Sequence, residues 1–396
     1  MLMHPQRRAL VSGTLYAAAA GLTWGLVFVA PSILADYPPA LLAMGRYLAF
    51  GLIALPLALW DRQRLAQFSR ADWLEALKLS AVGNLLYYLC LAAAIQNAGV
   101  PLPTMIIGTL PVVIAVVSNL RGSAAVRARD GRLPWRRLAP SLLLIGAGIA
   151  CVNRAEWAHL QASGGVVDAG RHLLGMLLAV GAVLCWTWYA IRNADWLRAH
   201  AGSAPGGEAE RAPGVDPESI PDGAVEHTPG RTVERAAGAN MERAPGENLQ
   251  RAPGGNLQRA PGAWATAQGL ATLPLAVVGY ALWWGWTALA PAGSVAATFA
   301  MPLGPRPELF LGLMLTIGLM ASWLGTLCWN AASQRLPPAL AGQLIVFESL
   351  AALAYAFVWR GQLPGGLTLL GITLLLFGVL AALRGGVARA AAAHGP

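Results

Sequence analysis

Apolar runs close to twenty residues long recur along the chain, near 10–33, 39–60, 73–96, 99–120, 138–153, 172–192, 264–286, 309–333, 337–358 and 364–384. About twenty predominantly apolar residues of helix are needed to cross the hydrocarbon core of a bilayer. The pattern therefore predicts an all-α membrane protein with ten transmembrane helices. The first run is too long for the apolar region of a signal peptide, and similar runs follow it, so it is expected to be a retained first helix. Trp60, Trp73, Tyr280, Trp283, Trp284, Trp286 and Trp359 cluster near run ends, where amphipathic rings favour the headgroup level.

Residues 202–263 break the pattern. They have no apolar face, and they repeat every eight residues as ERAAGANM from Glu234, ERAPGENL from Glu242, QRAPGGNL from Gln250 and QRAPG from Gln258. Such a segment cannot bury enough apolar surface to offset its chain entropy and is expected to be disordered. Its readings are an expanded repeat tolerated in a loop, or a tether for a partner.

The apolar runs are themselves related. AAAAGLTWGLVFVA (17–30) lies over AVGAVLCWTWYAIR (179–192), pairing Trp24 with Trp186. GLIALPLA (51–58) lies over GLATLPLA (269–276), and Cys90, Ala93, Ala94 and Gln96 fall on Cys328, Ala331, Ala332 and Gln334 without a gap. A five-helix unit used twice is odd in number, so its second copy enters the membrane from the opposite face. Inverted halves of this kind suit two conformations, each open to one side, with a site between them. The expected organisation is a first repeat over 1–153, a second over 172–192 plus 264–384, an insert over 193–263 and a tail over 385–396.

Composition agrees with the runs: 56% of residues are hydrophobic and 12% charged, against about 25% charged in soluble domains. Nine of the nineteen acidic residues lie between Glu208 and Glu247, leaving the apolar runs almost free of carboxylates. The pI near 9.9 comes from arginines in short gaps between runs, a membrane-topology pattern rather than a nucleic-acid-binding face. With the N-terminus inside, fourteen arginines fall on the cytoplasmic side (Arg7, Arg8, Arg62, Arg64, Arg70, Arg121, Arg127, Arg129, Arg132, Arg136, Arg137, Arg335, Arg384 and Arg389) and four opposite (Arg154, Arg171, Arg306 and Arg360). Both termini are thus expected in the cytoplasm. Cys90, Cys151, Cys185 and Cys328 lie inside apolar runs with neither disulfide nor zinc spacing. No Walker loop, HExxH, CxxC or GxSxG sequence occurs, so no enzyme, metal or cofactor is expected.

Trp24-Gly25, Arg46, Pro111 and Trp186, with the stretches GRYLAFGLIALPLA, MIIGTLPVV, WATAQGL, GPRPELF and LIVFESLAAL, resemble the EamA branch of the drug/metabolite transporter superfamily. They look most like an uncharacterised bacterial inner-membrane member of it. The resemblance spans nearly the whole chain except 202–263. It implies ten helices, cytoplasmic termini and export of amino acids or other small metabolites. Ser349 stands where the second half of such proteins often has proline, and Arg360-Gly-Gln replaces an acidic residue often found after the ninth helix.

Charge inside hydrocarbon is costly, which singles out two residues. Glu348 lies about eleven residues into the ninth run, roughly 16 Å along a helix and near the midplane; it reads as a coupling proton carrier or as a structural carboxylate. Arg46 reads as a site for a substrate carboxylate, as a snorkelling side chain, or as a partner of Glu348. Asn84, Tyr87, Tyr88, Thr104, Met105, Asn330 and Gln343 are candidate cavity residues or interhelical bonders. Trp24, Trp186, Trp188 and Trp323 are candidate cavity walls or packing groups, and Pro111 is a candidate hinge. The expected partners are a small-molecule substrate, lipid and protons, with oligomeric state left open. Three functions remain in view: a metabolite exporter working by alternating access, a carrier of phosphorylated or lipid-linked groups, and a scaffold or sensor acting through the insert.

Overall fold

The computed structural model describes residues 5–121, 135–162, 168–201, 261–291, 299–336 and 344–392, which form helices joined by turns, with no strand among the described residues. The helices are α1 (Pro5–Ile33), α2 (Pro39–Trp60), α3 (Arg70–Ala98), a broken α4 (Pro101–Ile107 and Leu110–Arg121) and α5 (Trp135–Ala162). Then follow α6 (Ala169–Ala201), α7 (Pro261–Leu289), α8 (Pro307–Arg335), α9 (Val346–Arg360) and α10 (Gly366–Ala392). Chain contacts group Met1–Trp196 with Ala260–Pro396 as one unit. The second unit, Leu197–Arg259, is described only in the last turn of α6, so the expected repeat insert lies almost wholly outside the described residues.

Among the described residues, six helices are long and apolar enough to cross a membrane, namely α1, α2, α3, α6, α7 and α8, and shorter apolar segments span Pro101–Ile114 and Gly366–Gly378. Several helices outrun their apolar patterns, because polar side chains at their ends are satisfied. α3 begins at Arg70, ahead of the run at 73, because Ser69 accepts from the Asp72 N–H while the Asp72 carboxylate accepts from the Ser69 N–H, a reciprocal cap. α5 continues to Ala162 because Glu156 is bound by Arg360 and Asn153 by His172. α6 continues into the region expected to be insert because Arg192 and Trp196 bond to Glu75 and Asp72.

α2 packs along α7, α5 along α10, and α1 along α9 and α8. Lipid gives helices no hydrophobic reason to associate, so close backbone approach at small residues carries the packing. The α5–α10 crossing is reciprocal: a Cβ on Gly148 would sit 2.7 Å from the Gly371 carbonyl oxygen, and one on Gly371 would sit 2.7 Å from that of Gly148. At the α2–α7 crossing, a Cβ on Gly51 would meet Leu273 at 2.6 Å and one on Gly269 would meet Ala54 at 2.7 Å. Gly21 and Gly25 let α1 lie against Phe347 and Ala351 of α9 in the same way.

α3 and α8 each widen into a π-helical turn, at Ser80–Leu86 and Gly318–Leu324. Gly318 follows Ser80 by 238 positions, the step that also separates Cys328 from Cys90. The two wide turns therefore occupy matched places in the sequence repeat.

Gly148→Leu and Gly371→Leu should each lower the detergent-solubilised melting midpoint, at a cost of about 1–3 kcal/mol for overpacking. Gly146→Leu, whose added Cβ meets nothing within 4 Å, should leave the midpoint unchanged in the same thermal melts.

Candidate functional site

Trp24 is placed by the small residues around it. Gly21 and Gly25 press α1 onto α9, and Gly325 leaves room for the Trp24 ring edge, since a Cβ there would lie 2.5 Å from Nε1. Nε1 donates to the Ala321 carbonyl in the α8 π turn at 2.9 Å. The ring meets Trp186 of α6 edge-on at 5.3 Å and Trp329 of α8 at 5.4 Å. Trp186 in turn contacts Tyr87 of α3 at 5.0 Å and stacks on Tyr189 at 4.9 Å. Four helices thus contribute rings to one cluster.

Arg46 on α2 is 5% exposed. Its Nε donates to Ser322 Oγ at 2.9 Å, and Ser322 lies in the α8 π turn. Its guanidinium lies 4.9 Å from the Tyr47 ring centre and 4.5 Å from that of Tyr88, a cation–π setting that partly replaces hydration. Glu348 on α9 is 3% exposed and lies within the electrostatic field of Arg46 and Tyr87. Arg46 Nη1 and Glu348 Oε2 are both buried without a hydrogen-bond partner. Leaving a buried polar or charged group without a partner is expensive.

Of the residues singled out by sequence, Trp24, Arg46, Tyr87, Trp186 and Glu348 converge. Tyr88 joins them through its ring and donates to the Val27 carbonyl at 3.3 Å. Asn84 is half-buried in the α3 π turn, at the place Ser322 holds in that of α8. Thr104 is buried, but its hydroxyl donates to the Val100 carbonyl of its own helix at 2.8 Å. Met105 belongs to a separate apolar cluster with Val112, Ile145, Val152, Leu353 and Leu375. Trp323 is half-buried beside Ser322, whereas Trp329 is the α8 ring against Trp24. Asn330 is fully buried on α8, and Gln343 lies outside the described residues. Pro111 is the second residue of the helical segment that resumes at Leu110 after the break in α4 at Gly108 and Thr109. Its ring would clash with the carbonyl four residues earlier in a continuous helix.

Sequence reading passes over Tyr47, Tyr189, Ser322 and Trp329. The usable signal was for Tyr47 alone, since a ring next to a buried arginine is a natural stacking partner. Among the described residues, no three His, Cys, Asp or Glu side chains converge to hold a metal. Ser322→Ala should leave Arg46 Nε without its acceptor and cost about 1–3 kcal/mol, read as a lowered melting midpoint that Ser322→Thr largely restores.

The sequence profile of the EamA-like transporter family matches residues 11–125. Inner membrane protein YtfF of Escherichia coli (strain K12) is 44% identical over 375 residues, covering 95% of this chain and 96% of that protein. A solved crystal structure with 15% sequence identity aligns over 96% of this chain and 99% of its own, at a TM-score of 0.54, which shows a shared fold. By sequence profile and by a relative matched almost end to end, this chain belongs to the EamA-like transporter family, the EamA branch of the drug/metabolite transporters.

Proposed function

We propose that the protein is a secondary transporter that exports small metabolites, amino acids among them, across the bacterial inner membrane by alternating access coupled to protons. The observation that carries this reading is the pair of buried, incompletely bonded charges, Arg46 and Glu348, set beside rings from α1, α3, α6 and α8. Arg46 Nη1 is a donor for a substrate carboxylate, and Glu348 Oε2 accepts either a substrate ammonium or the coupling proton. The aromatic cluster supplies an apolar wall beside them. In this reading ten spans cross the membrane as two inverted repeats with both termini in the cytoplasm, and the arginine-rich loops face inward. The matched π turns of α3 and α8 support the duplication. The α4 break beside Pro111 supplies a hinge.

The test is uptake of a labelled amino-acid panel into inside-out vesicles carrying the protein, with and without a proton gradient. Wild type should show saturable, gradient-dependent uptake. Glu348→Gln should abolish the gradient dependence. Arg46→Met should lower kcat/KM about tenfold or more, since a hydrogen bond to a charged group contributes about 1.5–3 kcal/mol. Uptake unchanged by both substitutions would remove Arg46 and Glu348 from the mechanism. Deleting residues 202–263 should leave uptake largely intact. Loss of all function on that deletion would favour a scaffold acting through the insert.

A further inference from the structure

Opposite ends of the bundle are each tied by a bonded ion pair, and the two pairs join helices that the repeat exchanges. At the end bearing Arg62 to Arg70, Arg192 of α6 donates to Glu75 of α3 through Nε at 2.8 Å and Nη2 at 2.7 Å. Trp196, about one turn further along α6, donates to Asp72 Oδ1 at 2.8 Å and lies flat on Trp264 of α7, with ring centres 3.5 Å apart. At the other end, Arg306, just before α8, donates to the Asp36 carboxylate through Nε at 3.0 Å and also through Nη2. Asp36 lies in the turn after α1, and the same Nη2 reaches the Ile33 carbonyl at 2.9 Å. Tyr37 completes this closure: its hydroxyl accepts from the Arg306 backbone N–H at 2.8 Å and donates to the Leu303 carbonyl at 2.9 Å.

The repeat places α1 on α6 and α3 on α8, so the α3–α6 pair becomes the α8–α1 pair. The charges themselves are not copied: the step of 238 positions sets Leu313, not a carboxylate, against Glu75. Each end has its own residues for the same mechanical connection. The Trp24–Arg46–Glu348 group lies between the two ends. Tyr87 is twelve residues along α3 from Glu75, and Trp24 lies nine residues before the end of α1 at Ile33, with Asp36 in the turn beyond.

We propose that Glu75–Arg192 and Asp36–Arg306 are two latches that open in alternation, each holding shut the path from one face of the membrane to the central site. The inference rests on the alternating-access reading above. Bidentate geometry makes each latch directional. Side-chain exposures of 40% and 14% for Arg192 and Glu75, and of 43% and 39% for Arg306 and Asp36, leave both screened by solvent and weak enough to part. Removing one latch lowers the cost of opening its own end only, so it shifts the population toward the state open there.

The test uses the full chain with its four cysteines replaced by alanine and Asn84→Cys as reporter, labelled by a membrane-impermeant maleimide from either face in oriented vesicles. Glu75→Gln should raise labelling severalfold from the Arg62–Arg70 face and lower it from the other. Asp36→Asn should do the reverse, and the exchange Glu75→Arg with Arg192→Glu should return the wild-type ratio. Changes in the same direction for both variants, or in neither, would overturn the proposal. If the cysteine-free chain does not fold, hydrogen exchange on the natural chain serves instead: each variant should speed exchange at its own end and slow it at the other, and exchange changes without that reciprocity would overturn the proposal. Neither measurement needs a substrate. Reciprocal accessibility without uptake would uphold the latches while leaving the substrate reading to fail separately.

Discussion

Arg46 carries a planar guanidinium with five N–H donors and no acceptor. Placing it where only 5% of its surface is exposed therefore sets terms for everything around it. Two tyrosine rings must face it, a hydroxyl must reach Nε, and a carboxylate must lie close enough to offset its field. Those groups come from α2, α3, α8 and α9. The α8 π turn then follows as the element that brings Ser322 and the Ala321 carbonyl to bear, one on Arg46 and the other on Trp24.

The rest of the bundle is arranged so that this centre can exist. Paired glycines at the α1–α9, α2–α7 and α5–α10 crossings let backbones touch, which excludes lipid from the space between helices. Large side chains are then freed to point inward, and Trp24 and Tyr189 use that freedom. Gly83 shows the same economy, since a Cβ there would lie 2.2 Å from the Tyr189 ring. Among the described residues, the bonded ion pairs Glu75–Arg192, Asp36–Arg306 and Glu156–Arg360 lie toward the helix ends, where water shares the cost of desolvation.

What the sequence makes legible follows from cost. A charge or a tryptophan within an apolar run stands out because hydrocarbon makes it expensive, and so Trp24, Arg46, Trp186 and Glu348 could be named without coordinates. Which side of a helix faces inward is a different matter. A helix that is apolar nearly all round carries no strong stripe, so rotation about its axis is set by neighbours. The π turn of α8 compounds this by inserting an extra residue and shifting the helical phase beyond it. Trp329 consequently meets Trp24, and Trp323 does not. Met105 and Thr104 look alike as mid-run candidates, yet one is fixed in an apolar cluster and the other is bonded to its own helix. Helix ends were underestimated wherever a distant partner satisfied polar residues, as Arg360 does for Glu156.

A π turn is a stored residue. It holds one position more than an α-helix would need to span the same height, and that surplus can migrate as backbone bonds exchange between neighbouring acceptors. Each step of migration twists the segment beyond the turn without unravelling its ends. In α8 the surplus sits under Ser322, the hydroxyl that grips Arg46; in α3 it sits under Asn84 at the matched height. In the proposed transport cycle, a substrate bonded to Arg46 would load the slack of that helix, and torque about the helix axis would carry occupancy at the centre toward the ends.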